Sequence, residues 1–279
     1  MKMRRLAAMG LAAAMMVSMC VPAMADTTDS NVTTKDYTLT FMADPTVVDG
    51  GFVYEPVNYT IPAGTSEDTT LGELLQANNV EFQGSTSYIS GFPCAAAKTF
   101  ALSDAQKAAF PDAAFDTRIM VDSASAAGQD GYLSEKEFTG YAGWMMTVDN
   151  QTDTPDSTLP YGTYYYSLGS KISELEKYGI LDDNQVVLEM FFSLNMGADI
   201  GMSDAYLPTE ITTYGTVYSY DWSGPSVMVS KIVKNDRTAL VSALASNSES
   251  IEYDSSLAVL KNLTSTTAQI DAAIKALAE

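Results

Sequence analysis

Tyr88-Ile89-Ser90-Gly91, Gly143-Trp144-Met145-Met146-Thr147-Val148-Asp149-Asn150 and Leu181-Asp182-Asp183-Asn184-Gln185-Val186-Val187-Leu188-Glu189 are the segments whose reading decides the fold. Each reads as a strand or as a turn that leads into one. In the second, Trp144, Met146 and Val148 recur with a period of two, so they suit the core of a two-layer fold. In the third, Asp182-Asp183-Asn184 is a turn in which Asn184 tolerates the left-handed backbone that a glycine would otherwise adopt.

Working outward, Tyr37, Leu39 and Phe41 alternate with Thr38 and Thr40, which predicts a strand with one buried face. A turn at Asp49-Gly50-Gly51 returns the chain into a second strand through Tyr59 and Ile61. Thr70-Leu71-Gly72-Glu73 has the spacing of a capping box, and Leu71, Leu74 and Leu75 fall on one face of the helix that follows. The order is therefore hairpin, helix, then the three segments quoted first.

In that order the segments resemble the small domain that closes transcobalamin and intrinsic factor, and the transcobalamin-like domain of many bacterial secreted proteins. The resemblance spans residues 36–202. It implies an α+β chain with a β-grasp-like mixed sheet wrapped over one helix, and ligand binding rather than catalysis. It also implies that Trp144, with Met145 and Met146, lies at the ligand-facing side, and that Leu159 of Leu159-Pro160-Tyr161-Gly162 lies near it. The implied ligand is cobalamin, another corrinoid or another flat amphipathic molecule, and no cofactor is required. A tryptophan and two methionines form a polarizable apolar surface that suits such a ligand, a protein partner or the protein's own core. The alternative function is an extracellular structural or adhesive module that binds protein or glycan through its tyrosine-rich strands and its insertion.

Residues 93–139 are longer than the usual connection in that family and read as an insertion, with a short helix at 103–110 and a strand at 118–121. Beyond Gly201, residues 203–234 form a β extension, with strands expected at 211–222 and 227–233. Residues 235–279 are a helical tail: Leu240 with Leu244, Leu257 with Leu260 and Leu263, and Ile270 with Ile274 and Leu277 share helical faces. Thr266-Thr267-Ala268-Gln269 supplies a second capping box. These helices can pack together, against the sheet, or in a dimer.

Lys2, Arg4 and Arg5 precede an apolar run from Leu6 to Met19, and Ala23-Met24-Ala25 forms a small-x-small cleavage site. The expectation is an exported, secreted chain that begins at Asp26 with a flexible leader over 26–35. No later run approaches the roughly 18 apolar residues of a membrane span, so no transmembrane segment is expected in the mature chain. Cleavage leaves Cys94 alone, without an internal disulfide.

The net charge of -20 repels phosphate backbones and argues against nucleic-acid partners. The 279 residues include no histidine, which removes the usual general base, the usual zinc ligand and every His-dependent triad. The expectation is a protein that is not an enzyme. Asp130-Gly131-Tyr132-Leu133-Ser134-Glu135-Lys136-Glu137 resembles the second half of a calcium loop, but Ala126 and Gly128 stand where side-chain oxygens are needed. A turn is the expected use of that segment.

Overall fold

The computed structural model describes residues 31–45, 51–94, 130–137, 142–150, 167–193, 197, 200, 206–208, 211–214, 217–220, 226–228 and 235–279. These residues have mixed α and β content, as expected for an α+β chain. The leader cleavage site, the helix expected at 103–110, the strand expected at 118–121 and Leu159 lie outside them.

Strand β1 (Tyr37–Asp44) pairs antiparallel with β2 (Tyr54–Ile61) and parallel with β7 (Gln185–Ser193), while β6 (Gly143–Val148) pairs antiparallel with β7. The order across this four-stranded sheet is β2-β1-β7-β6. A second sheet has the order β3-β4-β5, from β3 (Gln83–Ser85), β4 (Tyr88–Pro93) and β5 (Tyr132–Ser134). The hairpin expected at the N-terminal end is therefore formed, and Asn184 takes φ +61° at the turn into β7.

Helix α1 (Leu71–Ala77) starts as its capping box predicts: Thr70 Oγ1 accepts from Glu73 N–H, and the Glu73 carboxylate accepts from Thr70 N–H at 2.8 Å. Helix α2 (Ile172–Lys177) starts beside it, with Leu71 N–H donating to the Ser170 carbonyl and Ile172 N–H to that of Thr69. Leu71, Leu74, Leu75, Ile172 and Leu175 cover one face of the sheet, where Leu39, Phe41, Val186 and Leu188 lie.

The helical tail covers the opposite face. It comprises α3 (Thr238–Ser246), α4 (Tyr253–Lys261) and α5 (Thr267–Leu277). Leu240, Val241, Leu244, Leu260 and Ile270 pack there with Met42, Val187 and Phe191 of the sheet. The reason is visible in β7, whose residues from Val186 to Ser193 are all buried. An almost continuous apolar strand has two faces to hide and needs a layer on each.

Among the described residues the β extension has four short strands in two pairs: β8 (Tyr206–Pro208) with β11 (Ser226–Met228), and β9 (Ile211–Tyr214) with β10 (Val217–Tyr220). Two strands were expected. The apolar and tyrosine-rich run at 211–222 folds back on itself as β9 and β10, because alternation alone carries no signal of where a strand reverses.

The far end of the long 93–139 segment is built into the second sheet. Pro93 pairs with Tyr132 and Gly91 with Ser134, Cys94 N–H donates to the Gly131 carbonyl at 2.7 Å, and Leu133 is 0% exposed.

Candidate functional site

Strand β6 forms one edge of the four-stranded sheet, and its first four residues, Gly143 to Met146, are all partly exposed. Trp144 stands between two phenylalanines, edge-on to Phe92 at 4.7 Å and to Phe192 at 5.4 Å between ring centroids. Its indole N–H donates to the Leu133 carbonyl at 2.9 Å. Aromatic packing and a satisfied N–H fix the ring while part of its surface stays accessible.

Met145 and Met146 flank it on alternate sides of the sheet, as the strand period requires. Met146 packs against the cluster under α1 and α2, and Met145 against the cluster under the tail. The structure thus brings three of the four expected ligand-binding residues together on one strand. Leu159, the fourth, is not among the described residues.

Tyr88 and Glu135 adjoin this edge. Tyr88 is 58% exposed, and its hydroxyl donates to the Glu135 carboxylate. A Cβ built on Gly143 would stand 3.8 Å from that of Glu135, which puts the pair next to the start of β6. The bond to Glu135 holds the Tyr88 phenol above its ordinary pKa. Tyr132 makes the same kind of bond to Glu81 at 2.6 Å, with the same upward effect. The rim is therefore apolar at Trp144 and Met146 and hydrogen-bonding at Tyr88 and Glu135. Sequence reasoning assigned no ligand role to Tyr88 or Glu135; a pairing 47 positions apart leaves no local signal.

The calcium-like segment turns two of its carboxylates on its own backbone. Asp130 accepts from Tyr132 N–H and Glu137 from Ser134 N–H. Among the described residues no group of three or more Cys, Asp or Glu is placed to hold a metal ion, and no helix is long and apolar enough to cross a membrane. Cys94 is buried in the cluster under the tail.

On the tail-covered face, Asp44 and Glu189 are both 0% exposed, and Arg237 just ahead of α3 is 1% exposed. Arg237 donates to the Leu260 carbonyl at the end of α4 and lies 5.5 Å from the centre of the Phe191 ring. Burial lowers its pKa, while Glu189 and Asp44 oppose that shift. Thr147 Oγ1 donates to Glu189 at 2.9 Å. These groups join the tail to the sheet.

Comparison of the chain with protein-family models, with curated proteins and with solved structures finds no match. The functional reading rests on the residues themselves.

Proposed function

We propose that this is a secreted, non-catalytic binding protein with a transcobalamin-like, β-grasp-like domain that holds a corrinoid or another flat amphipathic ligand along β6. The fold half of this reading is supported by the strand order β2-β1-β7-β6, with a parallel central pair and α1 following the first hairpin. One observation carries the functional half. Next to β7, a strand buried from Val186 to Ser193, the edge strand leaves Trp144 and Met146 partly exposed, with Met145 partly exposed on the other side, beside Tyr88 and Glu135. Such a rim stacks on an apolar plane and hydrogen-bonds its polar margin. Fold likeness alone would not assign it a ligand.

Titration of the purified protein with cobalamin, cobinamide and a haem control, followed by Trp144-sensitive fluorescence and calorimetry, tests the reading. Saturable binding that weakens in Met146→Ala supports it. Absence of heat and of quenching with every corrinoid rejects the corrinoid ligand.

The exposed Tyr88, and Tyr132 elsewhere in the same small sheet, each bonded to a carboxylate, favour a second reading as a protein- or glycan-binding module. A glycan array that responds to Tyr88→Ala and not to Met146→Ala would select it.

A further inference from the structure

On the face of the sheet under the tail, strand pairing groups four side chains. Asp44 of β1 is the partner of Phe191 on β7, Glu189 lies two residues before Phe191 on the same face, and Thr147 of β6 is the partner of Glu189. All four are at most 1% exposed. Arg237 enters this group from the tail, with its guanidinium carbon 5.5 Å from the centre of the Phe191 ring, and it too is 1% exposed. Its Nη1 donates to the Leu260 carbonyl at the end of α4. Its Nε and Nη2 are buried as well, and among the described residues neither has a hydrogen-bond partner. These two nitrogens form the parallel fork of the guanidinium, the edge that ordinarily grips two acceptors. A charged donor left unpaired in the interior is among the most costly arrangements a fold can hold.

We infer that this junction is an internal hydration site: a buried water accepts from Arg237 Nε–H and Nη2–H and donates to the carboxylates of Asp44 and Glu189, so that the helical tail is tied to the sheet through solvent. The chemistry of the group selects water over an ion. Two acidic side chains beside a single basic one disfavour an anion, and the guanidinium disfavours a metal ion. Water is neutral, accepts two hydrogen bonds and donates two, and is held in protein interiors where two to four polar partners converge. The fork supplies the two donors. Each carboxylate can accept several hydrogen bonds at once, so both can receive one from the water whatever else they bind. The near-complete burial of Asp44, Glu189 and Arg237 suits a guest the size of a solvent molecule.

The test is a crystal structure of the full chain at a resolution that shows ordered solvent, joined to oxygen-17 relaxation dispersion of water, which counts the waters held inside the protein in solution. The expected result is a water about 2.7–3.2 Å from both Arg237 Nε and Nη2, and at the same range from a carboxylate oxygen of Asp44 and one of Glu189. Direct fork-to-carboxylate pairing of Arg237 with Asp44 or Glu189, with no water at the fork, overturns the proposal. An ion in that position overturns it too. In solution, Arg237→Met should lose a long-lived water relative to the wild type, because its stem carries no donor. A count in Arg237→Met equal to that of the wild type speaks against the site as firmly as the direct pairing does. If Arg237→Met does not fold, the wild-type crystal structure decides alone, on the presence or absence of water at the fork.

Discussion

The indole N–H of Trp144 donates to the carbonyl oxygen of Leu133 at 2.9 Å, joining the edge of the four-stranded sheet to the central residue of β5. Trp144 is thus a structural anchor whose remaining surface is available to a ligand. Trp144→Phe keeps most of the ring packing against Phe92 and Phe192 but leaves the Leu133 carbonyl without this donor, at a cost of about 1–3 kcal/mol. Trp144→Ala also leaves a cavity, and the loss should reach about 3–5 kcal/mol. Urea denaturation of the two variants beside the wild type measures both values. A neutral Trp144→Ala would show that the contacts with Phe92 and Phe192 carry no stability.

Arg237→Ala should cost about 3–5 kcal/mol, because it leaves the buried Glu189 and Asp44 without the guanidinium and the Leu260 carbonyl without its donor. Arg237→Met keeps an aliphatic stem that fills part of the buried site and should lose less. Chemical denaturation gives the order of the two variants, and the reverse order would mean that packing of the stem does not matter.

Replacing residues 95–129 by a short Gly/Ser turn should leave cooperative melting intact. Cys94 N–H already bonds the Gly131 carbonyl and Pro93 pairs with Tyr132, so the two cut ends lie opposite each other as in a hairpin. A deletion that runs on through Ser134 should fail, since it removes the fully buried Leu133 and the acceptor of the Trp144 N–H. Calorimetric scans of the two deletions compare them directly.

Gly72→Ala pits helix propensity against space. Alanine gains roughly 1 kcal/mol over glycine in a helix interior. Its Cβ, however, would come 1.9 Å from the Thr86 carbonyl oxygen and 2.6 Å from the carbon, both backbone atoms that cannot swing aside. Overpacking of this kind costs about 1–3 kcal/mol, so the variant should be less stable in thermal melts despite the better propensity.

The residues themselves determined the local pieces: the alternation in β1, the capping boxes at Thr70 and Thr266, the left-handed Asn184 and the three tail helices. Each depends on neighbours a few positions apart, and period, cap and turn chemistry register at that range. The run Val186-Val187-Leu188-Glu189-Met190-Phe191-Phe192 also carried the sign of a strand covered on both faces. Only the tertiary structure decided what covered it. It placed the tail over Met42 and Phe191, Arg237 beside Glu189 and Asp44, the Leu133 carbonyl at the Trp144 indole N–H, and Glu135 against Tyr88. Those partners lie from about ten to about two hundred positions apart, and no local period encodes the choice between apolar or charged surfaces of equal quality.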